Sequence, residues 1–284
     1  MCVAGAATSC DDGNACTADA CKPASGCSHS PVPGACSDDN LCTEGDVCNA
    51  GAGVAGKKLC ELPALPGLAA HDNAAVPSSV AASGGAVTAW LNLSGNGRHL
   101  SVAGGSGGPK LEALGILGQP GVDFANGSGL FSAPFDLTAE FTFFAVVRYE
   151  TPKSWGSLGH HGNRDTDWAI EQHGGKASGA VHFQSQNDNS GGELTLKSGR
   201  AYVLCGRISG GKRYFSATAT TTSRVAAADS TVAPGKKALY IGRSEGNEAS
   251  LATFGEILYY GKALSDAERD QVIVYLRVAW GFRC

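Results

Sequence analysis

The chain has 284 residues, of which 43% are hydrophobic and 17% charged, and its formal net charge is −4 at pH 7. That length allows one sizeable domain beside a small one. No run approaches the roughly 18 unbroken apolar residues of a membrane span, and no basic stripe is present, so we expect neither a membrane span nor a nucleic-acid partner.

The first 60 residues hold nine of the eleven cysteines. Such density in a short segment is typical of a disulfide scaffold made in an oxidising compartment, so we expect an extracellular protein, secreted or at the cell surface. No signal peptide is expected within this chain, because Met1-Cys2 runs directly into the cysteine pattern.

Two acidic loops of the same design open the chain, CDDGNACTADAC (10–21) and CSDDNLCTEGDVC (36–48). Cys10 and Cys16 recur 26 residues later as cysteines, whereas the position 26 residues after Cys27 is Gly53. The common period indicates a repeat. The run Cys16-Thr-Ala-Asp-Ala-Cys21 resembles the slime-mould-type CTDC repeat of extracellular matrix and cell-surface proteins. That resemblance covers roughly residues 10–60 and implies an extracellular structural or spacer role, without enzymatic activity.

Three uses of these loops remain open. Redox thiols favour Cys-x-x-Cys, which is absent. Zinc would need four thiolates or histidines at tighter spacing, and His29 is the only histidine of this segment. Calcium is supported by the oxygen donors of Asp11, Asp12, Asn14 and Asp19. Residues of these types also form the tight turns that short disulfide loops need, so we favour a structural staple.

The pairing of the cysteines cannot be read from their spacing, and we expect alternate pairing within each loop. With eleven cysteines, one must pair between chains or stay reduced, and the outermost residues Cys2 and Cys284 are candidates for self-association. The expected pairs are Cys10–Cys21, Cys16–Cys27, Cys36–Cys48 and Cys42–Cys60.

A proline-containing stretch (61–75) is expected to connect this head to a body of residues 76–284. In the body, short runs of strand-forming residues alternate with glycine-rich turns, which predicts an all-β antiparallel sandwich or jelly roll. The predicted strands are 86–93, 140–150, 166–173, 179–186, 201–209, 212–222, 238–243 and 253–261.

One α-helix is predicted at the C-terminus. Ser265 is a good N-cap, Glu268 completes a capping box, and Arg277 lies near the negative end of the helix dipole. An apolar stripe on this helix is expected to pack on the sandwich. The stripe consists of Val272, Ile273, Leu276, Ala279 and Trp280.

Three segments of the body resemble the laminin-G-like branch of the concanavalin A-like lectin/glucanase fold: AWLNLSGNGRHLS (89–101), GVDFANGSGLF (121–131) and GEILYYGKALSDAERDQVIVYLRVAWG (255–281). The resemblance implies two curved antiparallel sheets, with a binding site on the loops or the concave face. Members bind glycans or proteins, often with calcium, and a minority are glycosidases.

A retaining glucanase of this fold would carry Glu-x-Asp-x-x-Glu or Glu-x-Asp-x-Glu on one strand, and this chain has no such run. The nearest match places Asp167 and Glu171 on one face with Ala169 between them. Cys205 lies in an apolar strand and is expected to be an inert core residue. We therefore assign no catalytic residue and expect no enzyme.

The loop 155–168 gathers the best candidates for ligand binding. Aromatic faces stack on sugars, and carboxylates fix hydroxyl groups or calcium. The alternatives are a solvated turn or a transition metal on the histidine pair. The predicted ligand-binding residues are Trp155, His160, His161, Asn163, Asp165, Asp167 and Trp168, and the predicted metal ligands are Asp165, Asp167, Asp123 and Asn126.

Together these features favour a non-catalytic extracellular recognition or adhesion module that binds a glycan or an extracellular protein, with the disulfide repeats as its stalk. Two alternatives remain. One is a structural subunit of an extracellular matrix, sheath or fibre, and the other is a glycoside hydrolase or lyase of the concanavalin A-like fold.

Overall fold

Strands make up most of the regular structure, as the alternating apolar runs predict. Cys2, Cys42, Asn126, Asp165 and Cys284 lie outside the described residues. The computed structural model describes residues 9–22, 25–37, 43–102, 107–124, 127–150, 155–163, 166–172, 179–185, 193–219, 232–244 and 248–282, together with the backbone of 223–229.

The chain divides into two compact units, one of Met1–Pro63 with Val274–Gly281 (the head unit) and one of Ala64–Ile273 with Phe282–Cys284 (the body unit). The predicted connector 61–75 is partly strand, because Leu68–Asn73 pairs with a long strand of the body. Its small residues suggested flexibility, but Ala70 is buried in the core.

The head unit consists of short antiparallel strands. They are β1 (Thr17–Lys22), β2 (Gly26–Pro31), β3 (Gly34–Ala35), β4 (Thr43–Glu44), β5 (Val47–Asn49), β6 (Ala52–Val54) and β7 (Lys57–Lys58). β1 pairs with β2, β5 lies between β3 and β6, and β4 pairs with β7.

Two disulfides differ from the expected pairing, since Cys10 bonds to Cys27 and Cys16 bonds to Cys48. The second bond joins the first loop to the second, an arrangement that pairing within single loops could not anticipate. Cys60 is also disulfide-bonded. The predictions Cys10–Cys21, Cys16–Cys27 and Cys36–Cys48 are therefore wrong, and Cys42–Cys60 involves a residue outside the described chain.

The body unit holds the remaining strands and a short 3-10 turn, Pro77–Ser79. The first strands are β8 (Leu68–Asn73), β9 (Val80–Ser83), β10 (Ala86–Trp90), β11 (Leu100–Val102), β12 (Lys110–Ile116), β13 (Gln119–Asp123), β14 (Leu130–Ser132), β15 (Phe135–Leu137), β16 (Phe141–Tyr149) and β17 (Gly156–His161). The others are β18 (Trp168–Gln172), β19 (Ala180–Ser185), β20 (Glu193–Thr195), β21 (Arg200–Ser209), β22 (Lys212–Thr218), β23 (Ser223–Asp229), β24 (Gly235–Lys237), β25 (Leu239–Ile241) and β26 (Ala252–Tyr260).

These strands form two antiparallel runs. Sheet A has the order β9-β10-β11-β14-β25-β17-β18-β19-β20, and in sheet B β26 pairs with β8, β13 and β16, followed by β21, β22 and β23. β12 pairs with both β10 and β13 and thereby closes the two sheets into one barrel. A largely antiparallel β fold is confirmed.

An aromatic core lies on the inner faces of the sheets. The Phe141 ring centroid is 4.8 Å from that of Trp168 and 5.5 Å from that of Tyr259, and Phe183 packs edge-on against Trp168. All four side chains are buried. Burial of such large apolar rings is the main stabilising contribution to the fold.

All eight predicted strands are present, each with bounds close to those expected. The predicted helix is also present as α1 (Asp266–Ala279), with the reciprocal hydrogen bonds of a capping box between Ser265 and Glu268. In the stripe, Val272, Leu276 and Trp280 are buried and the two others are partly buried. No helix in the described part of the chain is long and apolar enough to cross a membrane.

Candidate functional site

The outer face of sheet A, the face turned away from the aromatic core, carries the largest group of buried polar side chains in the described residues. On β18, Trp168 and Ile170 belong to the core, so Glu171 points to the opposite side. On β19, Val181 and Phe183 belong to the core and His182 points outward. The strands thus present polar side chains on one face and aromatic side chains on the other.

A row of three titratable side chains crosses this face. Glu171 lies directly opposite His182, and His182 lies directly opposite Glu193, so all three project from the same side. Nε2 of His182 is 3.1 Å from Oε1 of Glu171, and both side chains are almost fully buried. Glu193 is partly exposed at the edge of the sheet.

A second polar pair adjoins this row. Ser157 on β17 is the cross-strand neighbour of Glu171, and its Oγ is 3.0 Å from Nδ1 of His160. The small Ala169 stands between His160 and Gln184 in the neighbouring row.

Aromatic rings flank the polar rows at both ends. The His160 ring stacks on Tyr240 with a centroid distance of 4.5 Å, and Tyr240 stacks on Phe131 at 6.0 Å. At the other end, Trp155 packs edge-on against His182 at 5.9 Å. Tyr240, Phe131 and Trp155 are only partly buried, but both faces of the Tyr240 ring are covered by the His160 and Phe131 rings.

Sheet B also contains a buried carboxylate bonded to a histidine, but it has no second acid beside it. Oε1 of Glu256 is 2.7 Å from Nε2 of His71. The residues opposite Glu256 on the two neighbouring strands are Asn73 and Val146. A reaction that needs two acids is therefore better supported on sheet A.

The predicted site residues do not form one cluster. His161 faces the core beside Phe135 and Tyr259, and burial lowers the pKa of its imidazole to about 4. Trp168 is a core residue as well. Trp155 and His160 do lie on the outer face of sheet A, whereas Asp165 is outside the described residues.

Asn163 and Asp167 are hydrogen-bonded to each other, and Asn163 is exposed whereas Asp167 is buried. The Asn163 N–H donates to Oδ2 of Asp167 over 2.8 Å, and the Lys237 ammonium lies 3.5 Å from the same oxygen. Gly162 packs so tightly on this carboxylate that a Cβ there would come within 2.2 Å of it. Asp167 therefore has a cationic partner within the chain, and calcium binding at this residue stays a prediction.

The other predicted metal pair cannot be assembled from the described chain. Asp123 ends β13 and is partly buried, while Asn126 lies outside the described residues. In the head unit, Asp12 and Asp19 both contact Nδ1 of His29, and the hydrogen bond to Asp19 raises the pKa of that imidazole. These carboxylates therefore also have a partner within the chain.

Sequence analysis missed most of the outer-face residues, because His182, Glu193 and Tyr240 lie on separate strands. The useful signal is the alternation Val181-His182-Phe183-Gln184, which places polar side chains regularly inside a strongly hydrophobic body. Glu171, His182 and Glu193 are also evenly spaced by 11 residues. Equal spacing across two hairpins is compatible with a single cross-strand row.

Comparison with known proteins supports the repeat assignment. The sequence model of a Dictyostelium (slime mould) repeat matches residues 9–32, which confirms the predicted resemblance for the first copy. No curated protein matches the chain.

Several solved structures are similar to this one. A mutant of Trypanosoma rangeli sialidase that displays trans-sialidase activity aligns with a TM-score of 0.54 and 15% identity, over 79% of this chain and 35% of that chain. The sialidase in complex with the inhibitor DANA aligns with a TM-score of 0.52 and 15% identity, over 77% and 33%. A GH54 α-L-arabinofuranosidase aligns with a TM-score of 0.48 and 16% identity, over 69% and 51%. The chain thus spans about a third of the length of the sialidases.

These similarities correct two predictions. A non-catalytic recognition or adhesion module was expected, and no enzyme. Both are wrong against this comparison, because the structures that share the fold are those of sialidases, which are glycoside hydrolases. The glycoside hydrolase alternative is the better supported one. Since these sialidases are not laminin-G domains, that part of the resemblance is not confirmed.

Proposed function

We propose that the chain is a glycoside hydrolase that acts on a glycan at the outer face of sheet A. The observation that carries this proposal is the row Glu171–His182–Glu193, two carboxylates on one face of a sheet with an imidazole between them. Glycosidic bond hydrolysis commonly uses two such acids, one to protonate the leaving oxygen and one to assist the attacking group.

The spacing of the two glutamates favours inversion. They lie two strands apart, and neighbouring strands are about 4.8 Å apart, which gives roughly 9.5 Å between their Cα atoms. Inverting enzymes separate their carboxyl groups by about 6.5–9.5 Å to leave room for water, whereas retaining enzymes separate theirs by about 5 Å. Because both side chains project from the same face, we take their carboxyl separation to follow this Cα separation, which lies at the upper end of the inverting range.

We assign Glu171 as the base and Glu193 as the acid. Because His182 hydrogen-bonds to Glu171, it holds that carboxylate in place while the other oxygen removes a proton from water. The more exposed Glu193 then donates a proton to the leaving oxygen. The partly exposed Trp155 offers an aromatic ring on which a sugar can stack.

This reaction requires that the outer face open to substrate, since Glu171 is 1% exposed. The sialidases' own substrate is not transferred to this chain, which spans only about a third of their length. Within the same proposal, we assign the barrel to the concanavalin A-like jelly rolls and the protein to the extracellular space, supported by its disulfides and its repeat. Calcium binding remains a separate prediction, testable by calorimetry.

The test is hydrolysis of a panel of aryl glycosides, including a sialoside, by wild type, Glu171→Gln and Glu193→Gln. Loss of a general acid or base costs about 10²- to 10⁴-fold in rate. Glu171→Gln should lose that much on every substrate. Glu193→Gln should lose it on glycosides with poor leaving groups and far less on dinitrophenyl glycosides, which need no proton.

The matched control is Glu140→Gln, which changes an exposed carboxylate of the body unit away from the row. It should keep wild-type activity, and all variants should show the wild-type circular dichroism spectrum. Full activity in Glu171→Gln would contradict the assignment of the base. No hydrolysis of any panel member by wild type would contradict the proposed function itself.

A further inference from the structure

Three sulfur atoms lie together in the head unit. The Sγ atoms of Cys16, Cys36 and Cys48 are all within 4.8 Å of one another, and Cys16 is bonded to Cys48. Cys16 and Cys48 are buried, whereas Cys36 is partly exposed and carries a free thiol. The Cys36 thiol is therefore close enough to the Cys16–Cys48 disulfide to attack it.

The repeat explains why this thiol has no disulfide of its own. In the first copy, Cys10 bonds to Cys27. The same positions 26 residues later are Cys36 and Gly53, so the second copy has lost one member of the pair. A Cβ atom built on Gly53 would lie 3.8 Å from Sγ of Cys36 with no other atom within 4 Å. The space for the missing cysteine is thus still present.

We propose that Cys36, Cys16 and Cys48 form a thiol–disulfide exchange site. The Cys36 thiol first loses its proton to solvent, and the thiolate attacks Sγ of Cys48. The Cys36–Cys48 bond forms as the Cys16–Cys48 bond breaks, and the released electron pair stays on Sγ of Cys16, which takes up a proton. One disulfide and one thiol are present before and after, so no external oxidant or reductant is required.

The exchange changes how the two repeats are joined. The Cys16–Cys48 bond links the first acidic loop to the second, over a sequence separation of 32 residues. The Cys36–Cys48 bond lies within the second loop and leaves Cys16 as the free thiol. The site thus switches the covalent link between repeats on or off without a change in oxidation state.

Attack by a thiolate gives the test a pH dependence. Because the thiolate is the attacking species, the rate should rise with pH. The full chain is incubated at pH 5, 6, 7 and 8, quenched with acid, alkylated and digested without reductant. Mass spectrometry should find a Cys36–Cys48 peptide together with alkylated Cys16, both appearing faster at higher pH.

Two variants make the result specific. Cys36→Ser removes the attacking thiol and should show only the Cys16–Cys48 bond at every pH. Gly53→Cys restores the missing partner and should bond to Cys36, which abolishes exchange and leaves Cys16–Cys48 intact. This variant provides the control even where Cys36→Ser fails to fold.

The proposal is wrong if the wild-type digest contains only the Cys16–Cys48 peptide and alkylated Cys36 at all four pH values. It is equally wrong where alkylated Cys16 appears at the same rate in Cys36→Ser or in Gly53→Cys, because another thiol would then be the attacking group. Neither result depends on hydrolase activity in the body unit.

Discussion

His161 shows how the fold selects the charge state of a single residue. Its Nε2 donates to the Lys237 carbonyl over 2.8 Å and its Nδ1 is 3.2 Å from the Tyr259 hydroxyl, inside an otherwise aromatic surrounding. Burial lowers the pKa of the imidazole from 6.5 to about 4. The folded chain therefore keeps this residue neutral at pH values where the unfolded chain protonates it.

This shift predicts a loss of stability in acid. Because the folded pKa lies below the unfolded one, the stabilisation is complete above about pH 6.5 and is lost as the pH falls towards 4. A shift of this size corresponds to about 3 kcal/mol of unfolding free energy. His161→Gln should remove that part of the pH dependence, measured by urea unfolding between pH 7 and pH 4.

His29 is the control for this prediction, since its pKa shifts the other way. Its hydrogen bond to Asp19 raises the pKa, so its contribution is present at low pH and is lost as the pH rises. Because the His29 contribution grows as the pH falls, His29→Gln should not reduce the acid-side loss of stability. If His161→Gln lost as much unfolding free energy between pH 7 and pH 4 as wild type, the account of His161 would be contradicted.

At the scale of elements, the capping box of α1 makes a local contribution to the free energy of unfolding that can be measured by substitution. The Glu268 carboxylate accepts from the Ser265 N–H over 2.7 Å, and this bond together with Lys262 lowers the Glu268 pKa to about 2. Ser265→Ala should cost about 1 kcal/mol of unfolding free energy. Gln271→Ala, an exposed change within the helix, should cost far less, and an equal loss in both would argue against the cap.

Local signals predicted the longer strands and the helix, but they missed strands such as β17, which lies in the expected loop 155–168, and they did not predict the pairing. Contiguous residues carry the period-two pattern of Phe141–Tyr149 and the capping box at Ser265. Both elements could therefore be recognised from sequence. The register that places His182 between Glu171 and Glu193 depends on two hairpins, and the Cys16–Cys48 bond depends on the contact of two repeats. Neither the strand register nor this disulfide can be read from one contiguous stretch of sequence.

The two acids of the proposed site were not recognised from the sequence for the same reason. Along the sequence, Asp167 and Glu171 lie on one face with Ala169 between them, which is not the pattern of two acids that a retaining glucanase carries on one strand. The second carboxylate, Glu193, is supplied from two strands away. A row across strands can bring together the same chemical groups as alternate positions along one strand.

At the scale of the whole molecule, the chain combines a head of disulfide-linked repeats with a β barrel similar to part of the sialidases. The similarity establishes a shared fold, and the outer face of sheet A supplies the residues for the proposed chemistry. Since the proposal sets the acids about two strands apart, it makes a stereochemical prediction that does not depend on knowing the natural substrate.

The most direct test is the anomeric configuration of the first-formed product, followed by proton NMR during hydrolysis of the best aryl glycoside of the panel. The inverting arrangement of Glu171 and Glu193 predicts that the configuration opposite to that of the substrate appears first and then mutarotates. Initial formation of the retained anomer would contradict the assignment of these two glutamates.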